Sequence, residues 1–225
     1  MTLYAAYTQG LEDSGVAPSN ALNGDAVLPA SRTWQLDSGL RYILTRRLNV
    51  IADVYEIHKP YFNLNPSGVD RDLGDQKAKG AELSISGHRL AHFDINVGVI
   101  YGKVSVIGTA LAAAGVGPVA IGQPRLQYTG NFNYTIPWWP LASLDLTATH
   151  FGSSPGTVDN RVYVPAATEL DFGGRYRLTA LGRSFTLRVQ IQNITDSYWW
   201  TTAGTPGYFP SAGPRTVFAY ATMYL

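Results

Sequence analysis

The 225-residue sequence contains no cysteine. That excludes a disulfide framework and every zinc site built on thiolates. Charge is scarce too: Asp, Glu, Lys and Arg make up only 15% of the chain, against about a quarter in an average soluble domain. The 17 basic and 16 acidic side chains leave a net charge of +1, so nothing in the overall balance attracts nucleic acid or an anionic surface. Long apolar runs are missing. The nearest, "VSVIGTALAAAGVGPVAIG" (104–122), is broken by Gly and Pro and reads as a loop, so no membrane-spanning helix is expected. The opening "MTLYAAYTQG" lacks the basic start and apolar core of a secretory signal. No stretch has the 3.6-residue period of an amphipathic helix.

What is present is aromatic and alternating. Aromatics reach 12%, with 14 Tyr and 5 Trp, and the chain also holds 23 Gly and 13 Pro. In "SFTLRVQIQN", Phe185, Leu187, Val189 and Ile191 fall on one side, with Thr186, Arg188, Gln190 and Gln192 on the other. "ELDFGGRYRL" sets Leu170, Phe172, Tyr176 and Leu178 against Glu169, Asp171, Arg175 and Arg177. "SLDLTATH" and "WQLDSGLRY" repeat the pattern, as does "HFDINVGVIY", where Ile100 breaks it. A period of two with one apolar and one polar face specifies β-strands.

About ten such strands are expected, each of roughly 10 to 14 residues, long enough to cross a bilayer at a tilt. Their connectors alternate in length. Short ones fall at 45–47, 89–91, 137–140 and 180–183. Long ones, rich in Gly, Pro, Ser, Asn and Asp, fall at 11–31, 63–76, 107–124, 152–164 and 196–214. Alternation alone fits a soluble sandwich with the apolar face inside as well as a membrane barrel with that face in lipid. Placing every long loop at one end is a property of outer-membrane barrels. Aromatics at strand ends agree: Trp138 and Trp139 stand at a short turn, and Tyr198, Trp199 and Trp200 open a long loop, as interfacial girdles require. In that arrangement Asp145, Glu169, Asp171, Arg175, Arg177 and Arg188 line an enclosed interior, where opposite charges on adjoining strands pair.

Motifs for chemistry are absent. His58, His88, His92 and His150 lie on different segments. His88 and His92 flank a tight turn without a carboxylate at ligand spacing, so no metal site is expected. No G-x-S-x-G nucleophile motif occurs, and "GVGPVAIG" lacks the strand and helix of a dinucleotide loop.

Several segments, in order, resemble one family. In "RTWQLDSGLRY" an acidic residue leads into a Gly-Leu-Arg strand, and "LNVIADVYEIHKPYFNLN" is similar to the family's next strand with its asparagine-rich end. "GDQKAKGAELSISGH" carries a G-x-x-x-x-x-G-x-E-x-x-x-x-G hairpin through Gly74, Gly80, Glu82 and Gly87. "YVPAATELDFGGRYRL" and "FTLRVQIQNITDSYWW" resemble the penultimate hairpin with its Asn193, Asp196 and Tyr198–Trp200 element, and "GPRTVFAYATMYL" resembles a closing strand opened by Pro214 and Arg215. The resemblance is to the C-terminal part of TonB-dependent outer-membrane receptors, nearest to the ferric-siderophore branch.

The resemblance implies an all-β, antiparallel, up-and-down transmembrane β-barrel, with the chain supplying about ten of about 22 strands. Residues 1–225 would be the C-terminal portion of the barrel, without the plug domain, the TonB box or the earlier strands. The implied function is to bind and import a ferric siderophore across the bacterial outer membrane, with the chelate as cargo, no resident cofactor and no catalysis. The implied partners are outer-membrane lipid, the barrel-assembly machinery, and the TonB complex through the missing N-terminal part, with no nucleic acid. The family usually ends on Phe or Trp; Leu225 departs from this, which bears on membrane assembly. A small stand-alone outer-membrane barrel or porin is the alternative. Candidate ligand-binding residues are Tyr61, Phe62, Arg161, Trp199, Trp200, Tyr208 and Phe209, since aromatics offer contact area at small entropic cost and Arg meets anionic chelate groups. Trp199 and Trp200 serve equally as lipid-interface anchors, and Tyr208 and Phe209 as packing within their own loop.

Overall fold

A computed structural model describes residues 1–180, 182–202 and 207–224, including all their side chains except those of Arg89 and Tyr224. Expectations attached to Leu225 lie outside these residues. Among the described residues twelve strands follow one another without a helix: β1 (Thr2–Glu12), β2 (Ser31–Thr45), β3 (Leu48–Leu64), β4 (Asp70–Leu90), β5 (Phe93–Ile107), β6 (Leu126–Thr135), β7 (Ala142–Phe151), β8 (Ser154–Pro155), β9 (Tyr163–Val164), β10 (Ala167–Ala180), β11 (Arg183–Gln192) and β12 (Thr216–Tyr224). Ten of them form one sheet in the order β1-β2-β3-β4-β5-β6-β7-β10-β11-β12, and β8 and β9 form a separate ribbon within a loop. Every neighbouring pair in the large sheet is antiparallel, and each of its strands lies beside the next of its strands along the chain, with the β8–β9 ribbon falling between β7 and β10. This is the up-and-down meander expected from the alternation.

Register fixes the faces, because directly paired residues share a side. Phe172 pairs with Ile191 and with Leu146, and Leu187 pairs with Tyr176 and with Ala221, so the apolar positions of four strands form one continuous surface. That surface is open: Phe172 is 39% exposed, Leu187 42% and Val189 50%. On the other side Asp145 is 6% exposed. Arg188 on β11 donates from Nη2 to Asp145 Oδ2 on β7 at 3.1 Å, reaching across the intervening β10. Gly173 makes that reach possible, since a Cβ there would stand 2.7 Å from Asp145 Oδ2. The sheet is inside-out relative to a soluble domain. Among the described residues, the buried apolar side chains other than Ala142 belong to loops or to strand ends near them: Ala17, Leu28, Leu73, Val106, Leu111, Val116, Ala120 and Val164.

Aromatic pairs mark two rims on the exposed apolar face. At the short-turn end Phe93 meets Tyr134 at 4.6 Å and Trp139 meets Tyr176 at 5.1 Å. At the long-loop end Trp34 stacks on His58 at 4.0 Å beside Tyr7, and Tyr128 stacks on His150 at 4.7 Å. From Phe93 to Tyr101 on β5, at about 3.3 Å per residue and a tilt of about 40°, the rise is about 20 Å, close to the height of a barrel's apolar band.

Three expectations are corrected. Residues 63–76 are mostly strand: β3 and β4 run 17 and 21 residues and join through 65–69. The side chain of Asn65 closes that turn by accepting from the backbone of Ser67 and Val69, so polar composition there signals a tight turn at the tip of a tall hairpin. Strand lengths also exceed the expected range for β2 to β5. Finally, His88 does have a carboxylate partner, Asp94 Oδ1 at 2.9 Å, although no group of three metal-ligating side chains occurs among the described residues.

Candidate ligand-binding surface

The long connectors all leave the sheet at the end opposite the short turns, and they interlock. Leu111, Val116 and Ala120 of residues 108–125 pack on Leu73 of β4 and Val106 of β5, with Tyr61 and Val158 against them. This apolar cluster explains the 104–122 window: Val104 to Ile107 continue β5, and the remainder folds back as a cap over the strand ends. Asn160, at φ 58°, ties two loops together by donating to Val119 O and accepting from Val119 N, both at 2.9 Å. Asn23 does the same between the first long loop and β4, donating to Asp70 O at 2.9 Å and accepting from Asp70 N at 2.8 Å.

The last loop is fastened by Asn193, which is 1% exposed. Its Nδ2 donates to Ser197 O at 2.8 Å and Gly213 O at 3.2 Å, and its Oδ1 accepts from Ser197 N at 3.0 Å. Its backbone N–H goes to Asp171 Oδ1 at 2.9 Å. Asp196 Oδ1 accepts from Arg215 N at 3.0 Å, joining the start of the loop to its end. The Asn193–Asp196 and Pro214–Arg215 elements therefore act as a clasp at the foot of this loop.

Above the clasp lies a cavity of about 330 Å³ lined by Val162, Tyr163, Val164, Pro165, Trp200 and Phe209. It unites two of the expected residues, Trp200 and Phe209, from opposite arms of the last loop. Trp200 also meets Tyr198 edge-on at 5.3 Å. Sequence reasoning missed Tyr163 and Val162; the run "RVYVP", apolar and aromatic beside an arginine, was their available signal. Arg161 precedes the cavity wall in the chain and is 86% exposed, with Nε 3.4 Å from Asp159 Oδ2. Hydrogen bonds from the Thr157 hydroxyl and from the backbone N–H of Arg161 hold the Asp159 carboxyl below its ordinary range. Tyr208 is exposed and Trp199 half-buried in the same loop. Tyr61 and Phe62 stand elsewhere, near the top of β3, where Tyr61 packs into the apolar cluster and accepts from Asn63 Nδ2 at 2.9 Å.

A second, mostly polar concavity of about 790 Å³ lies at the short-turn end, lined in part by Arg46, Arg47, His88, Arg175 and Arg177. Arg175 and Arg177 place it on the enclosed side of the sheet.

An open apolar face between two aromatic rims, a charge pair on the other side and long loops at one end together describe a membrane barrel wall. The sequence profile of the family described as "TonB dependent receptor-like, beta-barrel" matches residues 1–194. The chain belongs to the TonB-dependent receptor β-barrel family. Such barrels sit in the outer membrane of Gram-negative bacteria, which places the short turns in the periplasm and the loops outside. The family is one of receptors and transporters rather than enzymes.

The ferrichrome receptor FcuA of Yersinia enterocolitica is 24% identical over an alignment covering 96% of this chain and 29% of that protein. BauA, the ferric preacinetobactin receptor from Acinetobacter baumannii, superposes with a TM-score of 0.80 at 24% identity, covering 97% of this chain and 33% of that one. FyuA, the ferric yersiniabactin uptake receptor from Yersinia pestis, also gives 0.80, at 17% identity over 99% of this chain and 35% of that one. The chain thus spans about a third of the length of the relatives it matches.

Proposed function

We propose that the chain forms wall and surface loops of an outer-membrane receptor that binds a ferric siderophore and passes it inward. The observation that carries this reading is the external cavity, where Tyr163, Trp200 and Phe209 converge and Arg161 stands beside the wall. Flat aromatic faces give contact area with little entropy to lose, and a guanidinium meets the anionic groups of an iron chelate. FcuA and BauA are described as receptors for ferrichrome and ferric preacinetobactin, and FyuA as an uptake receptor for ferric yersiniabactin. In this reading Trp199, Tyr208 and Phe62 contribute to the rim of the surface and Tyr61 supports it from below. The chelate is cargo; the chain holds no resident cofactor and catalyses nothing. Energy for import comes from the TonB complex through parts of a receptor outside this chain, and the barrel-assembly machinery inserts the wall.

Radio-iron-loaded ferrichrome and ferric preacinetobactin, titrated onto vesicles carrying the protein, test the proposal. Trp200→Ala and Phe209→Ala should each weaken binding of the preferred chelate about tenfold, while Trp138→Ala, at the periplasmic rim, leaves it unchanged. Absence of binding by any ferric chelate, or equal losses in all three variants, contradicts the reading.

A further inference from the structure

The external cavity is selective in what can fill it. Its six lining residues carry no charge, and their polar side-chain groups are the Trp200 indole N–H and the Tyr163 hydroxyl. Backbone pairing sets both walls. The two arms of the last loop form a short ladder: Thr201 N donates to Pro210 O and Ala212 N to Trp199 O, both at 2.9 Å, with a bridge between Trp200 and Ser211. The opposite wall hangs on the β8–β9 ribbon, where Val164 pairs with Ser154 and Tyr163 with Pro155, and Gly156 N donates to Val162 O at 2.8 Å. A Cβ at Gly156 would collide with the Phe209 ring, so that ring is seated directly on the backbone of the neighbouring loop. Trp200 and Tyr163 nevertheless stay exposed. The result is an aromatic slot that is formed before anything enters it.

The slot holds about 330 Å³. An apolar cavity of about 150 Å³ takes one benzene ring, so there is room here for one substituted ring and not for a whole hexadentate chelate. Chelate arms differ in what they can place in such a space. Hydroxamate and hydroxycarboxylate arms would bring amide or carboxylate groups against an apolar wall, where most of them would lose water without gaining a partner. A catecholate or phenolate ring is different. Its oxygens lie on the edge that iron holds, and its far edge is C–H. It can enter edge-first, stack against the rings of Trp200, Tyr163 and Phe209, and leave the charged iron centre outside. Arg161, adjacent to Val162 and exposed, supplies a cation for that anionic centre. We infer that the slot receives one flat aromatic iron-binding ring, so that the cargo is an aryl chelate rather than a trihydroxamate or a hydroxycarboxylate. The inference rests on the receptor reading above and narrows its cargo.

The test uses the full chain in lipid vesicles and two radio-iron complexes. One is ferrichrome, a trihydroxamate; the other is the ferric complex of a tripodal tris-catecholamide built on tris(2-aminoethyl)amine, whose outer edges are aryl rings. The aryl complex should bind at least about tenfold more tightly. Trp200→Ala and Tyr163→Ala should each weaken it about tenfold, whereas Tyr163→Phe, which keeps the ring, should weaken it by less than about twofold. A loss in Tyr163→Phe as large as in Tyr163→Ala would assign recognition to the hydroxyl and overturn the slot. The unmodified protein gives a further check. Millimolar N,N-dimethylbenzamide, which has the ring but binds no iron, should displace the aryl complex, and N,N-dimethylacetamide, which lacks the ring, should not; competition by both alike, or by neither, overturns the inference. If the aryl complex fails to bind, or binds no better than ferrichrome, while ferrichrome or ferric preacinetobactin does bind, the slot assignment falls and the receptor reading stands. Failure of every ferric chelate removes both.

Discussion

Gly173 is the position where the account of the interior is most exposed to refutation. Its replacement by Val places a Cβ 2.7 Å from Asp145 Oδ2, closer than real Cβ contacts allow, and 3.0 Å from both Cγ and Oδ1. The carboxylate must then leave Arg188, which it now meets at 3.1 Å. Breaking a fully buried ion pair costs about 3–5 kcal/mol. Here the Asp145 side chain is 7% exposed and that of Arg188 21%, so water partly compensates the arginine and the loss should be about 2–3 kcal/mol. Gly174 provides the control. It faces outward, and a Cβ there first meets Leu144 Cδ2 at 3.7 Å, an ordinary contact; Gly174→Val should change stability by about 0.5 kcal/mol or less. Guanidinium unfolding from lipid vesicles, followed by tryptophan fluorescence, measures both. A cycle with Asp145→Asn should show coupling of at least about 1 kcal/mol for Gly173→Val, because each change disrupts the same contact. Equal costs for the two glycines, or strict additivity with Asp145→Asn, would refute the bridge across β10.

Other expectations follow from the loops. Asn193→Ala removes four hydrogen bonds of the side chain and leaves alanine at φ 50°; it should cost about 2–4 kcal/mol and raise protease cleavage between β11 and β12, with the wall intact by circular dichroism. Asn160→Ala should loosen the joint between residues 108–125 and 152–166, giving faster hydrogen exchange at Val119, whereas Ser153→Ala should not. Asp159 is held below the ordinary carboxyl range when folded, so its contribution is complete above about pH 4, the unfolded value, and fades as pH falls through the lower folded value. Protease sensitivity near Arg161 should hold steady from neutral pH to the ordinary carboxylate range and rise only below it; Asp159→Asn should remove that rise.

The wall was legible because a strand's two faces are written in its own residues. The alternation in β10 and β11 named the exposed apolar set and the enclosed polar set, and Arg188 and Asp145 met as interior charges do. Ile100, which broke the alternation, lies on the enclosed side among polar neighbours. The loops were less legible for a physical reason: their order comes from contacts between distant segments. Asn160 reaches Val119, and Asn23 reaches Asp70, across other strands, and no local pattern encodes such a meeting. Turn residues at 65–69 carry the same composition as a long loop, so the tall β3–β4 hairpin was hidden. Tyr163 went unrecognised because its partners, Trp200 and Phe209, come from a different loop.

The central claim is that the apolar side of each strand touches hydrocarbon while the polar side faces an enclosed interior. The absence of cysteine makes a direct measurement simple. Single cysteines placed in turn from Phe185 to Ile191 in the bilayer-inserted protein, each carrying a spin label, report collision with oxygen dissolved in lipid and with a water-soluble nickel complex. Oxygen access should peak at positions 185, 187, 189 and 191 and nickel access at 186, 188 and 190. The opposite phase, or nickel access at all seven positions alike, would contradict it.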